Sequence, residues 1–398
     1  MSADVSAVLA GPLLPAALTP NRLALARHAT RLQFGVLGVL SGAWGVHVPS
    51  VKAIYGLSEG TLSLVLLAAA IGAVLSLFFA GRVVAQLGVR RTVQVAGLAL
   101  GVLLALVLQW PGLATLLPAM LVFGSAMSLF DVAINAEGTA LESLGGRAVM
   151  SQLHGCFSLG GMAGAALGAA LLRAGLDAGL QLALIAAVLT LLAQLGAPGL
   201  LPAVAHQVDQ ADEPKAHFAW PRGALLVIGL LIFTGMSAEG VMYDWSVLYL
   251  KQEVGMAQDR AALGYAAFSA AMALARFGGD ALRARHDERL LLRLGALLAG
   301  VAMAAVLLAR EPWVALLGYV CIGAGLALVV PMLYNAATRV PGTSRAAAIA
   351  AVSSIGYAGF LVGPPLIGSI AQAVSLTAAL ALVVPACALL ALGARRLP

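Results

Sequence analysis

The chain has 398 residues, of which 61% are hydrophobic and only 10% are charged, and its formal net charge is +6. A soluble domain carries roughly 25% charged residues, because a water-soluble core needs a polar shell around it. This composition, with a mean hydropathy of +0.98, therefore excludes a soluble globular protein. The positive charge does not indicate nucleic-acid binding, since the basic residues are scattered singly between apolar runs and form no patch.

The alternation of apolar and polar segments predicts twelve membrane-spanning helices. We interpret residues 1–31 as a cytoplasmic tail, because Asp4 is acidic and no basic region precedes the apolar run, which argues against a cleaved signal peptide. A span needs about 20 mostly apolar residues to cross roughly 30 Å of hydrocarbon. The segments that meet this requirement lie near 32–52, 61–80, 92–110, 114–138, 149–172, 178–200, 222–249, 261–281, 289–308, 312–335, 346–369 and 373–393.

A polar segment at 201–221 divides the chain into two halves of six spans, at 32–200 and 222–398. It contains the longest polar stretch, from His206 to Lys215, and we interpret it as a cytoplasmic linker. Cytoplasmic loops of membrane proteins carry an excess of Lys and Arg. With the N-terminus inside, all basic residues fall on the cytoplasmic side except Lys52, Arg173, Lys251, Arg260 and Arg310. Both termini are therefore predicted to be cytoplasmic.

The two halves repeat each other at an offset of about 200 residues, as parallel transporter repeats do. Spans 4 and 10 correspond as Asp131-x-x-x-Asn135 and Pro331-x-x-x-Asn335. Spans 5 and 11 correspond through their glycines, which are Gly160, Gly164 and Gly168 in the first half and Gly359, Gly363 and Gly368 in the second. Such a repeat predicts a binding site between the halves, near the middle of the bilayer.

Twelve spans, a repeat of six and basic loops after spans 2 and 8 together resemble the major facilitator superfamily. The segment 81–91 (GRVVAQLGVRR) is similar to that superfamily's signature between spans 2 and 3, although Ala85 stands where an acidic residue is usual. The corresponding segment 276–280 (RFGGD) keeps an acid. The resemblance implies an all-α membrane fold of two pseudo-symmetric six-helix bundles. It also implies a cytoplasmic latch, whose candidate residues are Arg82, Arg90, Arg91, Arg276 and Asp280.

A narrower resemblance lies in span 4, where the segment 130–135 (FDVAIN) is similar to the fucose-permease branch of the superfamily. Trp44 and Gly45 in span 1 fit the same branch. The second acid of that branch, later in span 1, has no counterpart, and Lys52 lies near its position. The segment 239–246 (EGVMYDWS) resembles span 7 of an uncharacterised bacterial inner-membrane subgroup, which indicates relatedness but gives no substrate.

Asp131 is the first candidate for proton coupling. An acid at the centre of a span costs about 2.5–3.5 kcal/mol on insertion scales, so such residues face the interior of the bundle and mark functional sites. Asn135 lies one turn further on the same helix face. The alternatives are a hydrogen bond between helices without a transport role, or a place in the inner vestibule.

Glu239 in span 7 is the second coupling candidate, and we expect it in the outer half of its span. It could bind the substrate, carry a proton, or hold an outer gate against Lys52 or His47. Asp244 and Trp245 lie one to two turns further out, where an interfacial position among the headgroups is slightly favoured for Asp244. His47 and His154 are expected to be packing residues.

Aromatic faces beside amides are suited to sugars and polyols, so we expect Trp44, Asn135, Tyr243, Tyr334 and Asn335 to line the substrate cavity, with ordinary packing as the alternative. A segment of span 11 indicates a mechanical role instead of a binding role. Because proline removes backbone hydrogen bonds and kinks helices, Gly363, Pro364 and Pro365 predict that span 11 bends during gating.

These features predict a secondary transporter that moves a small polar solute, such as a sugar or related metabolite, together with protons. It would act as a monomer in the lipid bilayer, with no nucleic-acid partner. A proton-driven drug or metabolite exporter on the same fold is the alternative. No metal-ligand spacing, Ser–His–Asp set or phosphate-binding loop is present in the sequence. We therefore predict neither an enzyme nor a bound metal or cofactor.

Overall fold

The computed structural model describes residues 19–203, 206 and 222–397, and most of the predicted linker therefore lies outside the described residues. Within these ranges the secondary structure is helical. The α-helices, in chain order, are α1 Pro20–Ile54, α2 Glu59–Leu106, α3 Leu113–Gly145, α4 Met150–Arg173, α5 Ala178–Gly196, α6 Ala224–Gln252, α7 Gln258–Arg283, α8 Glu288–Ala309, α9 Pro312–Leu326, α10 Val329–Ala337, α11 Arg345–Ala373, α12 Leu376–Leu380 and α13 Val383–Gly393. Short 3-10 turns, Ala197–Gly199 and Ala394–Arg396, follow α5 and α13.

One helix, α2, contains two of the predicted spans. Its 48 residues correspond to about 72 Å at 1.5 Å per residue, more than twice the thickness of the hydrocarbon layer. Gly88, with φ 76° and ψ 157°, breaks it into two arms. The loop expected at 81–91 is therefore mostly helical. Eleven helices of the described chain are long and apolar enough to span a membrane, and the break in α2 makes twelve spans.

Local sequence signals explain where several helices begin. The Thr19 hydroxyl accepts a hydrogen bond from the Arg22 amide, and Pro20 occupies the first helical position of α1, where its missing N–H is not needed. The Ser58 and Ser344 hydroxyls cap α2 and α11 in the same way. Gly146, in the left-handed conformation with φ 59°, ends α3.

Glycines allow one pair of helices in each half to pack backbone against backbone. In the first half, a Cβ on Gly38 would overlap the Phe157 carbonyl, and a Cβ on Gly42 would overlap the Gly161 carbonyl, so α1 and α4 are in close contact. In the second half, a Cβ on Gly295 of α8 would overlap the Gly325 carbonyl, and a Cβ on Gly325 of α9 would overlap the Gly295 carbonyl, so α8 and α9 are in close contact. Small residues serve this purpose in membranes, where helices associate through van der Waals contact. Close packing of this kind thus occurs in both halves.

The halves meet mainly along two helix pairs, α4 with α7 and α2 with α11, and α1 also contacts α6 and α7. We call the side on which α1 begins the near side, and the side on which α1 ends the far side. On the far side, the Gln258 amide of α7 donates to the Val46 carbonyl at 2.9 Å and to the Ser50 hydroxyl at 2.8 Å. The Ser58 hydroxyl donates to the Gln372 amide oxygen at 3.1 Å. These bonds hold the far side closed.

The near side is joined mainly through α4 and α7, where the Ser151 hydroxyl donates to the Arg276 carbonyl at 2.9 Å. Among the described residues, α3 makes no extensive contact with α10 or α11. Side chains on those helices, including Asp131, Tyr334 and Tyr357, remain partly exposed. The space between the halves therefore opens toward the near side.

Candidate functional site

Asp131 lies in the middle of α3, about 27 Å along the axis from Leu113 at 1.5 Å per residue. The Asn135 amide donates to the Asp131 carboxylate at 3.0 Å and to the Asp131 carbonyl at 2.8 Å. Both side chains are partly exposed, whereas their neighbours Phe130 and Ile134 are buried. In the part of the chain that the structure describes, the Asp131 carboxylate has no basic partner. It is therefore an uncompensated acid that faces the space between the halves.

Aromatic residues of the second half stand near Asp131. Tyr357 of α11 lies within electrostatic range of both Asp131 and Tyr334. The Tyr334 hydroxyl is hydrogen-bonded to Ser353 at 3.0 Å. Tyr357 also stacks on Phe360, with ring centroids 6.5 Å apart. Tyr334 was a predicted lining residue, whereas Tyr357 was missed. The sequence does not show which helix a single tyrosine in an apolar span faces.

A buried ion pair connects α6 to α7. The Arg276 guanidinium donates to the Glu239 carboxylate at 3.0 Å, and the two side chains are 10% and 16% exposed. The same guanidinium donates to the Ser158 hydroxyl of α4 at 2.8 Å. One arginine thus binds an acid of its own half and a hydroxyl of the other half. Sequence analysis missed Ser158, because a serine in a glycine-rich helix is common.

Two expectations about this pair need correction. Glu239 does not hold a far-side gate against Lys52 or His47, because Lys52 pairs with Glu59 at 3.1 Å and His47 is hydrogen-bonded to Ser50. It also lies near the middle of α6, since the helix begins at Ala224 and ends at Gln252. The role of Arg276 as a latch residue stays a prediction.

Tyr243 follows Glu239 by one turn of α6 and packs in an aromatic group with α7. Its ring centroid is 5.5 Å from that of Tyr265 and 5.4 Å from that of Phe268. The Tyr243 hydroxyl lies near Glu239 and Arg276 but meets the geometry of a hydrogen bond with neither. The hydroxyl is therefore enclosed beside the ion pair.

The other predicted lining residues lie apart from this group. Trp44 packs against Phe123 inside the first half, with ring centroids 5.8 Å apart. Asn335 donates to the Glu288 carboxylate at 3.0 Å, beside Arg339 at the near-side end of α8. Asn335 is thus part of an ion cluster with Glu288 and Arg339, and its role in lining the cavity stays a prediction.

The predicted gating residues have different environments. Arg82 and Arg91 are exposed, Gly363 has open space around it, and Pro364 and Pro365 lie inside an unbroken α11. Asp280 belongs to α7, but its side chain lies outside the described residues. The Arg90 guanidinium donates to the Leu200 carbonyl at 2.5 and 3.0 Å. Gating by these residues stays a prediction.

The start of the predicted linker is packed, although we expected it to be solvated. Leu201 is 1% exposed, and its amide donates to the buried Glu137 carboxylate at 2.6 Å. The His206 imidazole is hydrogen-bonded to the other carboxylate oxygen of Glu137 at 2.9 Å. Glu137 was not a candidate in the sequence, because an acid near the end of a span resembles an ordinary solvated residue.

Asp244 and Trp245 were expected near the headgroups, and the structure contradicts that expectation. Trp245 is 1% exposed inside the protein and forms no aromatic belt. Asp244 is only partly exposed, and every residue from Trp245 to Leu250 is buried. Helix α6 is enclosed by α1, α7, α10, α11 and α13. Asp244 therefore belongs to the interior.

Comparison with known proteins agrees with this architecture. The family model of the Major Facilitator Superfamily matches residues 32–344 and 246–398. An uncharacterized MFS-type transporter of Yersinia pestis is 37% identical over 353 residues, covering 88% of this chain and 90% of that protein. Membrane protein MosC of Rhizobium meliloti is 31% identical over 358 residues, covering 89% of this chain and 86% of that protein.

Solved structures share the fold at low identity. A point mutant of the nucleoside transporter NupG superposes with a TM-score of 0.72 at 13% identity, covering 94% of this chain and 98% of that one. The D-xylose-proton symporter gives a TM-score of 0.72 at 15% identity, covering 92% and 97%. The match to the family model, the two relatives and the twelve-span fold lead to one conclusion: the chain belongs to the major facilitator superfamily and is a multi-pass membrane transporter.

Proposed function

We propose that this transporter is secondary active and moves a small polar solute across the bacterial inner membrane, with protons coupled at Asp131. The observation that carries this proposal is the Asp131 carboxylate, which lies in the middle of a span, has no basic partner among the described residues and faces the space between the halves. An acid in that position costs about 2.5–3.5 kcal/mol on insertion scales, so its presence favours a function. A carboxyl group that alternates between dry and hydrated surroundings takes up and releases a proton.

Alternating access follows from the contacts between the halves. With the near side cytoplasmic, as the basic residues predict, the far-side bonds of Gln258 and Ser58 close the periplasmic entrance. Opening that entrance requires these bonds to break while the near side closes. Arg276 bonds to both halves, at Glu239 and Ser158, and its bond to Ser158 would be made or lost in this movement.

The solute is proposed to be a sugar or a related metabolite that binds between Asp131 and the Glu239–Arg276 pair. Tyr243, Tyr334 and Tyr357 supply aromatic faces and hydroxyls to this region. The likeness to the D-xylose-proton symporter supports this chemical class and proton symport. A monomer suffices, because both halves of the site belong to one chain.

Transport into proteoliposomes tests the proposal after a thermal-shift screen of sugars, nucleosides, acids and amines has identified a bound solute. Ligand binding to the folded state raises the apparent melting temperature. Wild type should concentrate the solute along an imposed proton gradient, and Asp131→Asn should exchange the solute without concentrating it. If Asp131→Asn concentrates the solute as well as wild type, Asp131 is not the coupling site. Proton-driven export instead of import would appear as the opposite response to the direction of the gradient.

A further inference from the structure

Asp244 is an interior carboxylate to which the proposed transport cycle gives no role. It lies about 12 Å along the axis from the end of α6 at Gln252, at 1.5 Å per residue. Within the part of the chain described, it forms no hydrogen bond and no ion pair. It is nevertheless partly exposed. Because other helices surround α6, that exposed surface faces the space between the halves rather than lipid.

The charges in the middle of the described spans do not balance. Asp131, Glu239 and Asp244 are acids, and Arg276 is the one Lys or Arg residue among them. Arg276 is already paired with Glu239 at 3.0 Å. Asp131 is the proposed site of proton uptake and release. One carboxylate, Asp244, therefore remains without a positive charge.

The lysines toward the far side do not supply that charge. The Lys251 ammonium donates to the Gln258 amide oxygen at 2.9 Å, and Lys52 pairs with Glu59 at 3.1 Å. Both are thus engaged at the ends of their helices. Neither lysine is therefore the counter-ion of Asp244 in this structure.

Two aromatic residues of neighbouring helices lie near this part of α6. Tyr265 is 1% exposed, its hydroxyl has no hydrogen-bond partner within the described chain, and it lies within electrostatic range of Asp244. One turn before Asp244, Gly240 leaves room beside the Phe360 ring. Phe360 is 38% exposed and stacks on Tyr357. Ring faces attract cations, and a tyrosine hydroxyl accepts hydrogen bonds from them.

We infer that the solute carries an ammonium group, that Asp244 is its counter-ion, and that aromatic faces of Tyr265 and Phe360 complete the site. The solute is then an amine-bearing polar compound, such as an amino sugar or amino polyol, rather than a neutral sugar. This inference rests on the proposed transport function and narrows its substrate class. With a neutral solute, the Asp244 carboxyl group would have to take up a proton instead of pairing with the ligand.

Matched ligands test the charge requirement directly in thermal unfolding of the purified protein. Glucosamine, glucose and glucuronate form one set, and choline with its uncharged isostere 3,3-dimethylbutan-1-ol forms another. Wild type should gain melting temperature with the amines and not with their neutral or acidic counterparts. The choline comparison uses wild type alone and needs no variant to fold.

Variants of Asp244 test whether this residue causes the shift in melting temperature. Asp244→Asn should bind the amines at least tenfold more weakly, and Asp244→Glu should restore part of the shift. Glu311→Gln removes an exposed acid at the far-side start of α9, whose side chain makes no capping bond, and should leave the shift unchanged. Absence of a shift with the amines, or an equal shift in Asp244→Asn, would overturn the inference. Stabilisation by the neutral or acidic ligands alone would overturn the inference but not the proposal that the protein is a transporter. Normal accumulation of the solute by Asp131→Asn would overturn only the assignment of Asp131 as the coupling site.

Discussion

Removing the Glu239 charge should destabilise the protein strongly, because it leaves the Arg276 guanidinium without a counter-ion. The pair is 3.0 Å long, and its side chains are 16% and 10% exposed. Breaking a buried pair by removing one partner costs about 3–5 kcal/mol. The partial exposure of Glu239 places the expected loss in Glu239→Gln near the lower end, at about 3 kcal/mol. Arg276→Met should cost less, since the remaining carboxyl group can take up a proton whereas a guanidinium cannot lose one.

The assay is a double-variant cycle, with the free energy of unfolding measured by reversible denaturation in mixed micelles. Glu239→Gln combined with Arg276→Met removes both charges, and its stability should return to within about 1 kcal/mol of wild type, because neutral replacement of a buried pair is often tolerated. The two single changes would then be non-additive by at least about 2 kcal/mol. If the effects of the single changes add within about 0.5 kcal/mol, Glu239 and Arg276 do not stabilise each other and the reasoning fails.

Two further predictions follow from the contacts of single residues. Gly42→Leu should cost at least about 3 kcal/mol of stability, because the leucine side chain would overlap the Gly161 carbonyl. Gly278 has open space around it, so Gly278→Ala should be neutral or stabilising. Unfolding of the two variants is measured in parallel, and a tolerated Gly42→Leu would contradict the close packing of α1 and α4. Asn335→Ala should lower the free energy of unfolding by about 1.5–3 kcal/mol, because the hydrogen bond to Glu288 is lost, and it should leave solute affinity unchanged. Weaker solute binding at equal stability would show that Asn335 lines the cavity.

Much of the fold could be predicted from the sequence, because membrane spans depend on local composition. Runs of about 20 apolar residues mark the helices whatever they pack against. The glycines of α4 could be identified by their spacing, and their contacts with α1 confirm close packing, whereas Gly363 of α11 has open space around it. The continuity of α2 through Arg82–Leu87 was missed, since a short basic segment resembles a loop when only hydropathy is considered.

The candidate site was harder to predict, because it depends on which helices are neighbours. Asp131 and Asn135 could be paired from their spacing of four residues on one helix. The bond from Arg276 to Ser158 joins positions 118 residues apart, and no periodicity relates them. Asp244 was placed among the headgroups because hydropathy cannot show that α6 is enclosed on all sides.

Cross-linking across the far side tests the central claim of alternating access most directly. Ser58 and Gln372 belong to opposite halves and are hydrogen-bonded at 3.1 Å. In a chain whose Cys156, Cys321 and Cys387 are replaced by alanine, Ser58→Cys and Gln372→Cys would be joined by a short bis-methanethiosulfonate, which forms a reducible disulfide with each thiol and releases methanesulfinate. We predict that the cross-linked protein binds solute but does not transport it, that each single-cysteine variant transports after the same treatment, and that reduction restores transport. Full transport by the cross-linked protein would contradict the account.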